Sequence, residues 1–205
     1  MTRWTAFARI GFAALTAAAL WVSAVHASEV GLGLDDFFSF FTVLSNCAAV
    51  LVLAWGGLAT SLDRPGVPHL LRGAATLYMV VTALVFAIAL TDVETGMLPW
   101  TNVVLHQVMP VVMLLDWLLL PPLRPLRYSR SALWLLFPLL YLVYTLVRGP
   151  VADWYPYPFL DAFTNGYAHV ALASALISVA FLALTAFLTW AGNTRRLRVS
   201  AQTHG

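Results

Sequence analysis

The sequence has no lysine, one cysteine and little charge of either sign. Asp, Glu and Arg together make up 10% of its 205 residues, against about 25% in a soluble domain. No polar stretch is long enough for a soluble domain beside the apolar ones. The lone Cys47 falls within an apolar run, which excludes an intramolecular disulfide. Period-two alternation is also absent, so the apolar runs do not read as barrel strands. There is no Gly-x-Ser-Gly stretch of the kind found in six-span rhomboid-like proteases. What is present in excess is hydrophobicity: 61% of residues, with a mean hydropathy of +0.83. The chain reads as an all-α, polytopic membrane protein.

Six apolar segments stand out, at 10–25, 37–58, 70–90, 103–120, 132–147 and 168–191, within one integral membrane domain over 1–205. Each approaches the ~20 residues that a helix needs to cross the hydrocarbon core. All basic residues are Arg, and their placement is asymmetric. Arg3, Arg9, Arg64, Arg72, Arg124, Arg127, Arg130, Arg195, Arg196 and Arg198 flank one set of ends. Glu29, Asp35, Asp36, Asp92, Glu94, Asp153 and Asp161 occupy the alternate loops, with Arg148 as their only cation. The positive-inside rule then places both termini in the cytoplasm. The first segment, with Val25-His26-Ala27 at its end, is also readable as a signal peptide; Trp21 near that end favours a retained span.

Polar side chains inside the spans are the candidates for function, because burial in lipid is costly. Ser39, Thr42, Ser45 and Asn46 are spaced to share one face of span two, as helix–helix glue or as a site. Thr42 falls roughly 7–8 Å below the outer end of its span, and His106 roughly 4–5 Å below the outer end of span four, at 1.5 Å per residue. The two therefore share a leaflet. A threonine hydroxyl is a weak nucleophile until a base takes its proton, and histidine titrates in the right range to do so. Asn46 or Asn102 could act as an oxyanion or orienting group, and Asp92, Glu94 or Asp161 could orient His106. Asp116, ten residues beyond His106 on the same helix, is about 15 Å away; it is expected to pair with Arg72 or Arg124. Arg148 pairs with Asp153 or Asp161, or clamps an anionic headgroup. His169 begins span six on the outer side, as a second imidazole at the site or an interfacial residue. The segment 148–167, rich in proline and aromatics, reads as an interfacial anchor or as a lid over an outer-leaflet cavity.

Three motifs carry a family resemblance: Phe41-Thr42 opening span two, His106 opening span four with Asp116 ten residues on, and Trp154-Tyr155-Pro156-Tyr157-Pro158-Phe159-Leu160-Asp161 before span six. In these the chain resembles the androgen-induced and androgen-dependent (FAR-17a-like) six-span membrane proteins and their bacterial relatives. Animal members are threonine hydrolases that cleave fatty acid esters of hydroxy fatty acids. The resemblance implies Thr42 as nucleophile and His106 as base. Asn46, Arg148, Tyr157 and His169 are the candidate substrate contacts. Two departures stand out: Pro110 follows the histidine one residue earlier than in the animal pattern, and Ser45-Asn46 follows the threonine. The expected partners are membrane lipids and a hydrophobic ester, without nucleic acid, cofactor or metal. The expected location is the cytoplasmic membrane of a bacterium.

Other readings remain open on the sequence. A transporter or lipid-binding protein would use the polar stripe as a path, although spans one to three and four to six show no inverted repeat. A bis-histidine haem site would pair His106 with His169.

Overall fold

The computed structural model describes residues 3–90 and 97–202. Among them there are no strands, and six helices are long and apolar enough to cross a membrane. They are α1 (Arg3–Glu29), α2 (Phe41–Ser61), α3 (His69–Ala89), α4 (Pro99–Leu119), α5 (Tyr128–Ala152) and α6 (Ala162–Gln202). An even number of crossings puts both ends of the chain on one side, and the arginines make that side cytoplasmic.

The tightest packing is between α1 and α2, and small residues explain it. Ala6, Ala13, Thr16, Ala19, Ser23 and Ala27 recur every three or four positions along the buried face of α1. Against them lie Gly56 and Gly57 of α2, where a Cβ on Gly57 would come 2.6 Å from Ile10 and 3.0 Å from the Ala6 carbonyl oxygen. Close backbone approach through small residues is what associates helices where lipid removes the hydrophobic drive. The opposite face of α1, with Trp4, Phe7 and Trp21, is exposed.

Arg9 does not flank the first span as the charge pattern suggested. It is buried within α1, where its Nε donates to Asp116 Oδ1 at 2.7 Å and its Nη2 to Oδ2 at 3.1 Å. Arg72 of α3 approaches the same carboxylate at 3.5 Å, with its guanidinium 5.2 Å from the Trp117 ring centre. The expected Asp116–Arg72 pair therefore exists, and Arg9 completes a three-helix ionic tie. A guanidinium is tolerated in the bundle because a carboxylate is within reach to balance it. This tie makes α1 an integral layer of the bundle.

The helices at the outer face begin and end differently from the apolar runs. Span two starts four residues later than expected, so Ser39 lies before α2, held by a bond to the Asp35 carbonyl oxygen at 2.7 Å. Span four starts four residues earlier, because Pro99 supplies the preset φ favoured in a first helical turn. α5 packs against α6 through its cytoplasmic first turns, over 128–135. Nearer the outer face, Phe137 and Tyr141 stand between α5 and α2, stacked on Phe41 at 5.7 and 5.1 Å between ring centres. Large aromatic spacers of this kind hold helix axes apart, and a cavity of about 280 Å³ opens beside them.

Candidate active site

Thr42 is the second residue of α2, in the turn whose N–H groups have no carbonyl behind them in the helix. Elsewhere the buried threonines Thr16, Thr76 and Thr189 donate to the carbonyl four residues back, at 2.7, 2.9 and 2.7 Å. That is the ordinary way to satisfy a hydroxyl inside a membrane helix. The Thr42 hydroxyl instead faces another helix: its Oγ1 is 3.3 Å from His106 Nε2. Both side chains are buried, at 7% and 4% exposure.

The other ring nitrogen fixes the proton inventory. His106 Nδ1 lies 3.2 Å from the backbone carbonyl oxygen of Asn102. A carbonyl can only accept, so Nδ1 carries the hydrogen and Nε2 presents its lone pair to Thr42. Phe86 stacks on the imidazole at 4.3 Å, nearly parallel, and holds its plane. The orienting group is thus a backbone carbonyl of the histidine's own helix. Of the acids considered for that task, Asp161 instead caps α6, accepting from the Phe163 and Thr164 N–H groups at 2.8 and 3.1 Å. The Thr164 hydroxyl bonded to it holds this carboxyl below the usual carboxylate range. Asp92 and Glu94 lie outside the described residues.

His106 sits in a π-helical turn, Val104–Val108, and Pro110 is part of the reason. Met109 donates its N–H to the Val104 carbonyl, five residues back rather than four. The Leu105 carbonyl therefore loses its usual donor, and Pro110, the next along, has no N–H to offer. Asn46 fills the gap: its Nδ2 donates to the Leu105 carbonyl oxygen at 3.1 Å and to that of Thr42 at 2.9 Å. One amide thus joins the residue before His106 to the nucleophile candidate itself. With both amide hydrogens committed, Asn46 is a clamp, and the expected oxyanion or substrate contact does not form through Nδ2 in this arrangement.

The remaining sequence candidates divide. Tyr157 is at the site: its hydroxyl oxygen accepts from the Thr42 N–H at 3.3 Å and lies 3.5 Å from Thr42 Oγ1. Its backbone is extended (φ −135°, ψ 134°), as Pro158 after it requires. Arg148 is not bonded to Asp153 or Asp161. It pairs with Asp36 at 2.6 Å and Asp35 at 3.3 Å in the turn Leu34–Phe37, and its guanidinium stands over Trp154 at 5.5 Å. The neighbouring-helix acids win because the start of α2 and the end of α5 meet at the outer face, where Tyr144 also reaches Ser39 at 2.8 Å. His169 is exposed on α6, away from the buried His106, so the structure does not bring the two imidazoles together.

Thr42 and Tyr157 open onto the cavity, which is otherwise almost wholly apolar. Its walls include Phe41 and Val81 from one side, Tyr141 and Leu142 of α5, and Phe181 of α6. Phe159 and Leu160 close it from the outer side, and Tyr157 stacks on Phe159 at 5.2 Å. The aromatic segment before α6 thus folds inward over the cavity. Sequence reasoning missed the Asn102 carbonyl and the clamping role of Asn46. The signal for both was Pro110, four residues after the histidine.

Among known proteins, neither a curated protein nor a solved structure matches the chain. A family model described as FAR-17a/AIG1-like protein matches residues 75–190, a span that includes His106 and the Tyr157 segment and begins after Thr42. That match covers more than half of the sequence, and the chain belongs to the FAR-17a/AIG1-like family.

Proposed function

We propose that this protein is an intramembrane threonine hydrolase acting on a lipid ester, with Thr42 as nucleophile and His106 as base. The observation that supports this most strongly is the proton arrangement. The Thr42 hydroxyl is 3.3 Å from a histidine nitrogen whose lone pair faces it because the other nitrogen is pinned to the Asn102 carbonyl. Nucleophile, base and orienting group are then all present. An open bond of this length is what an unliganded site shows before substrate closes it.

In the proposed reaction, Thr42 Oγ1 attacks the ester carbonyl while its proton passes to Nε2. The protonated imidazole returns that proton to the leaving alkoxide, giving an alcohol and an acyl-threonine. Water, deprotonated by the same nitrogen, then releases the fatty acid. The apolar cavity suits one acyl chain: at about 280 Å³ it lies at the low end of ligand pockets, which run from ~300 to 1,000 Å³. The arginine distribution supports an orientation with the site in the outer leaflet, and a bacterial cytoplasmic membrane is the proposed location.

The test is covalent labelling of the purified protein in detergent with a fluorophosphonate probe, read by mass spectrometry. The adduct is expected on Thr42 and is lost in Thr42→Ala and His106→Ala. A folded wild-type protein that neither labels nor turns over a medium-chain p-nitrophenyl ester would overturn the proposal. The cavity alone also supports a lipid-binding protein without turnover; in that case fatty-acid binding persists in Thr42→Ala and no ester is cleaved by any variant.

A further inference from the structure

We infer that Tyr157 is the oxyanion donor of this site, giving its phenolic hydrogen to the ester carbonyl oxygen as Thr42 attacks. The inference rests on the reading of Thr42 as nucleophile and adds the group that stabilises the charge which that attack creates.

The argument begins with what each atom can do. A backbone N–H only donates, so in the 3.3 Å contact between Thr42 N–H and the Tyr157 hydroxyl, the phenol is the acceptor. Its own hydrogen remains to be placed. The group nearest to it here is Thr42 Oγ1, at 3.5 Å, too long for more than a weak bond. The other phenol on the cavity wall, Tyr141, is committed: it donates to the Ser39 carbonyl oxygen at 2.8 Å. Tyr157 is thus a donor on the cavity wall, beside the nucleophile, with a hydrogen held by a weak contact only.

Its position relative to the reacting bond is also right. Thr42 and Tyr157 both line the cavity, whereas His106 is not among the residues of its wall. A carbonyl carbon arriving at Oγ1 from the cavity therefore brings its oxygen to the Tyr157 side, with the base on a different side. Attack forms the Oγ1–C bond, and the carbonyl π pair moves onto oxygen. The phenol keeps its proton throughout and shares it with that oxygen, so the charge is stabilised and nothing is transferred. Burial raises the Tyr157 phenol above its ordinary range, which keeps it a protonated donor. The Thr42 N–H belongs to the first turn of a 21-residue helix, so the dipole of α2 adds to the same stabilisation. Asn46, which could have served instead, has both amide hydrogens in use.

The experiment uses the full-length protein in detergent with a p-nitrophenyl ester as substrate. Tyr157→Phe is expected to lower kcat by ~10²–10³-fold, the usual cost of one oxyanion donor, with KM changed less than about threefold. Affinity for a trifluoromethyl ketone of the same chain should fall by a similar factor, while affinity for the matching ether, which forms no oxyanion, should not change. A merely structural tyrosine would weaken both ligands alike. Should Tyr157→Phe fail to fold, p-aminophenylalanine in place of Tyr157 keeps a donor at that point and should retain more than a tenth of wild-type kcat. Turnover by Tyr157→Phe within threefold of wild type, or equal losses for ketone and ether, would overturn the inference and leave Thr42 as nucleophile standing. A wild type without a Thr42 adduct would remove both.

Discussion

Replacing Asn46 by leucine separates geometry from stability at this site. The substitution keeps the volume and removes the amide that bridges α2 and α4. Thr42's carbonyl stays within regular helix and loses only an extra donor. The Leu105 carbonyl is different, because Met109 bonds Val104 and Pro110 has no N–H. It becomes a buried acceptor without a partner, at a cost of ~1–3 kcal/mol. Part of that is offset, because Asn46 Oδ1 is itself buried without a hydrogen-bond partner among the described residues. Leucine removes that penalty, which is also about 1–3 kcal/mol by mutational measures. Net destabilisation should be at most about 2 kcal/mol, or a fall in Tm of no more than ~8 °C at the 2–4 °C per kcal/mol typical of chains this long.

The effect on geometry is larger. Once Leu105 is released, the strain is relieved if Met109 N–H bonds it and the π turn reverts to α-helix. Removing one residue from the bulge rotates the helix before it by about 100° relative to the helix after it. His106 cannot keep its approach to Thr42 through such a rotation, and misplacement by an ångström can cost ~10²-fold in rate. Ester turnover and thermal unfolding, measured on the same detergent preparation, should show kcat reduced about a hundredfold with a small change in Tm. A variant that keeps kcat within threefold would refute the clamp. So would one that loses more than about 5 kcal/mol, since Asn46 would then be a packing residue of a kind the hydrogen bonds do not describe.

Two further predictions concern the scaffold. Asp116→Asn leaves Arg9 and Arg72 facing each other in the bundle without a carboxylate, and breaking a buried pair costs ~3–5 kcal/mol; thermal unfolding should drop by more than 5 °C, and an unchanged Tm would show that the tie contributes nothing. Gly149→Ala places a methyl group into the ring of Tyr155, which lies against that glycine. The segment carrying Tyr157 must then shift, and turnover should fall at least tenfold while the Arg9–Asp116 region, probed by cysteine accessibility at neighbouring positions, is unaffected.

How much of this was legible in the sequence follows from the range of each interaction. The six spans were readable because lipid imposes a length of apolar chain. The depth of the polar residues was readable only approximately, since helix ends depend on caps. Pro99 extends α4 outward and Ser39 falls outside α2, so Thr42 is shallower and His106 further along its helix than the apolar runs indicated. The approach of Thr42 to His106 required the packing of α2 against α4, which no local pattern encodes. The same is true of Arg9, which reads as a flanking charge until Asp116 is brought beside it. Tyr157 was visible as part of a motif, and the extended backbone before Pro158 was implied by the proline. Its contact with Thr42 was not, because the residues lie 115 positions apart.

The cavity has one more consequence. Leu139 of α5 and Leu182 of α6 belong to its wall, yet they are 59% and 56% exposed on the outside of the bundle, where acyl chains of the bilayer lie. A lipid that reaches Thr42 between these helices need never enter water. The quantity that governs saturation is then its mole fraction in the membrane, and diluting the substrate with inert phospholipid at constant bulk concentration should slow turnover as if substrate had been withdrawn.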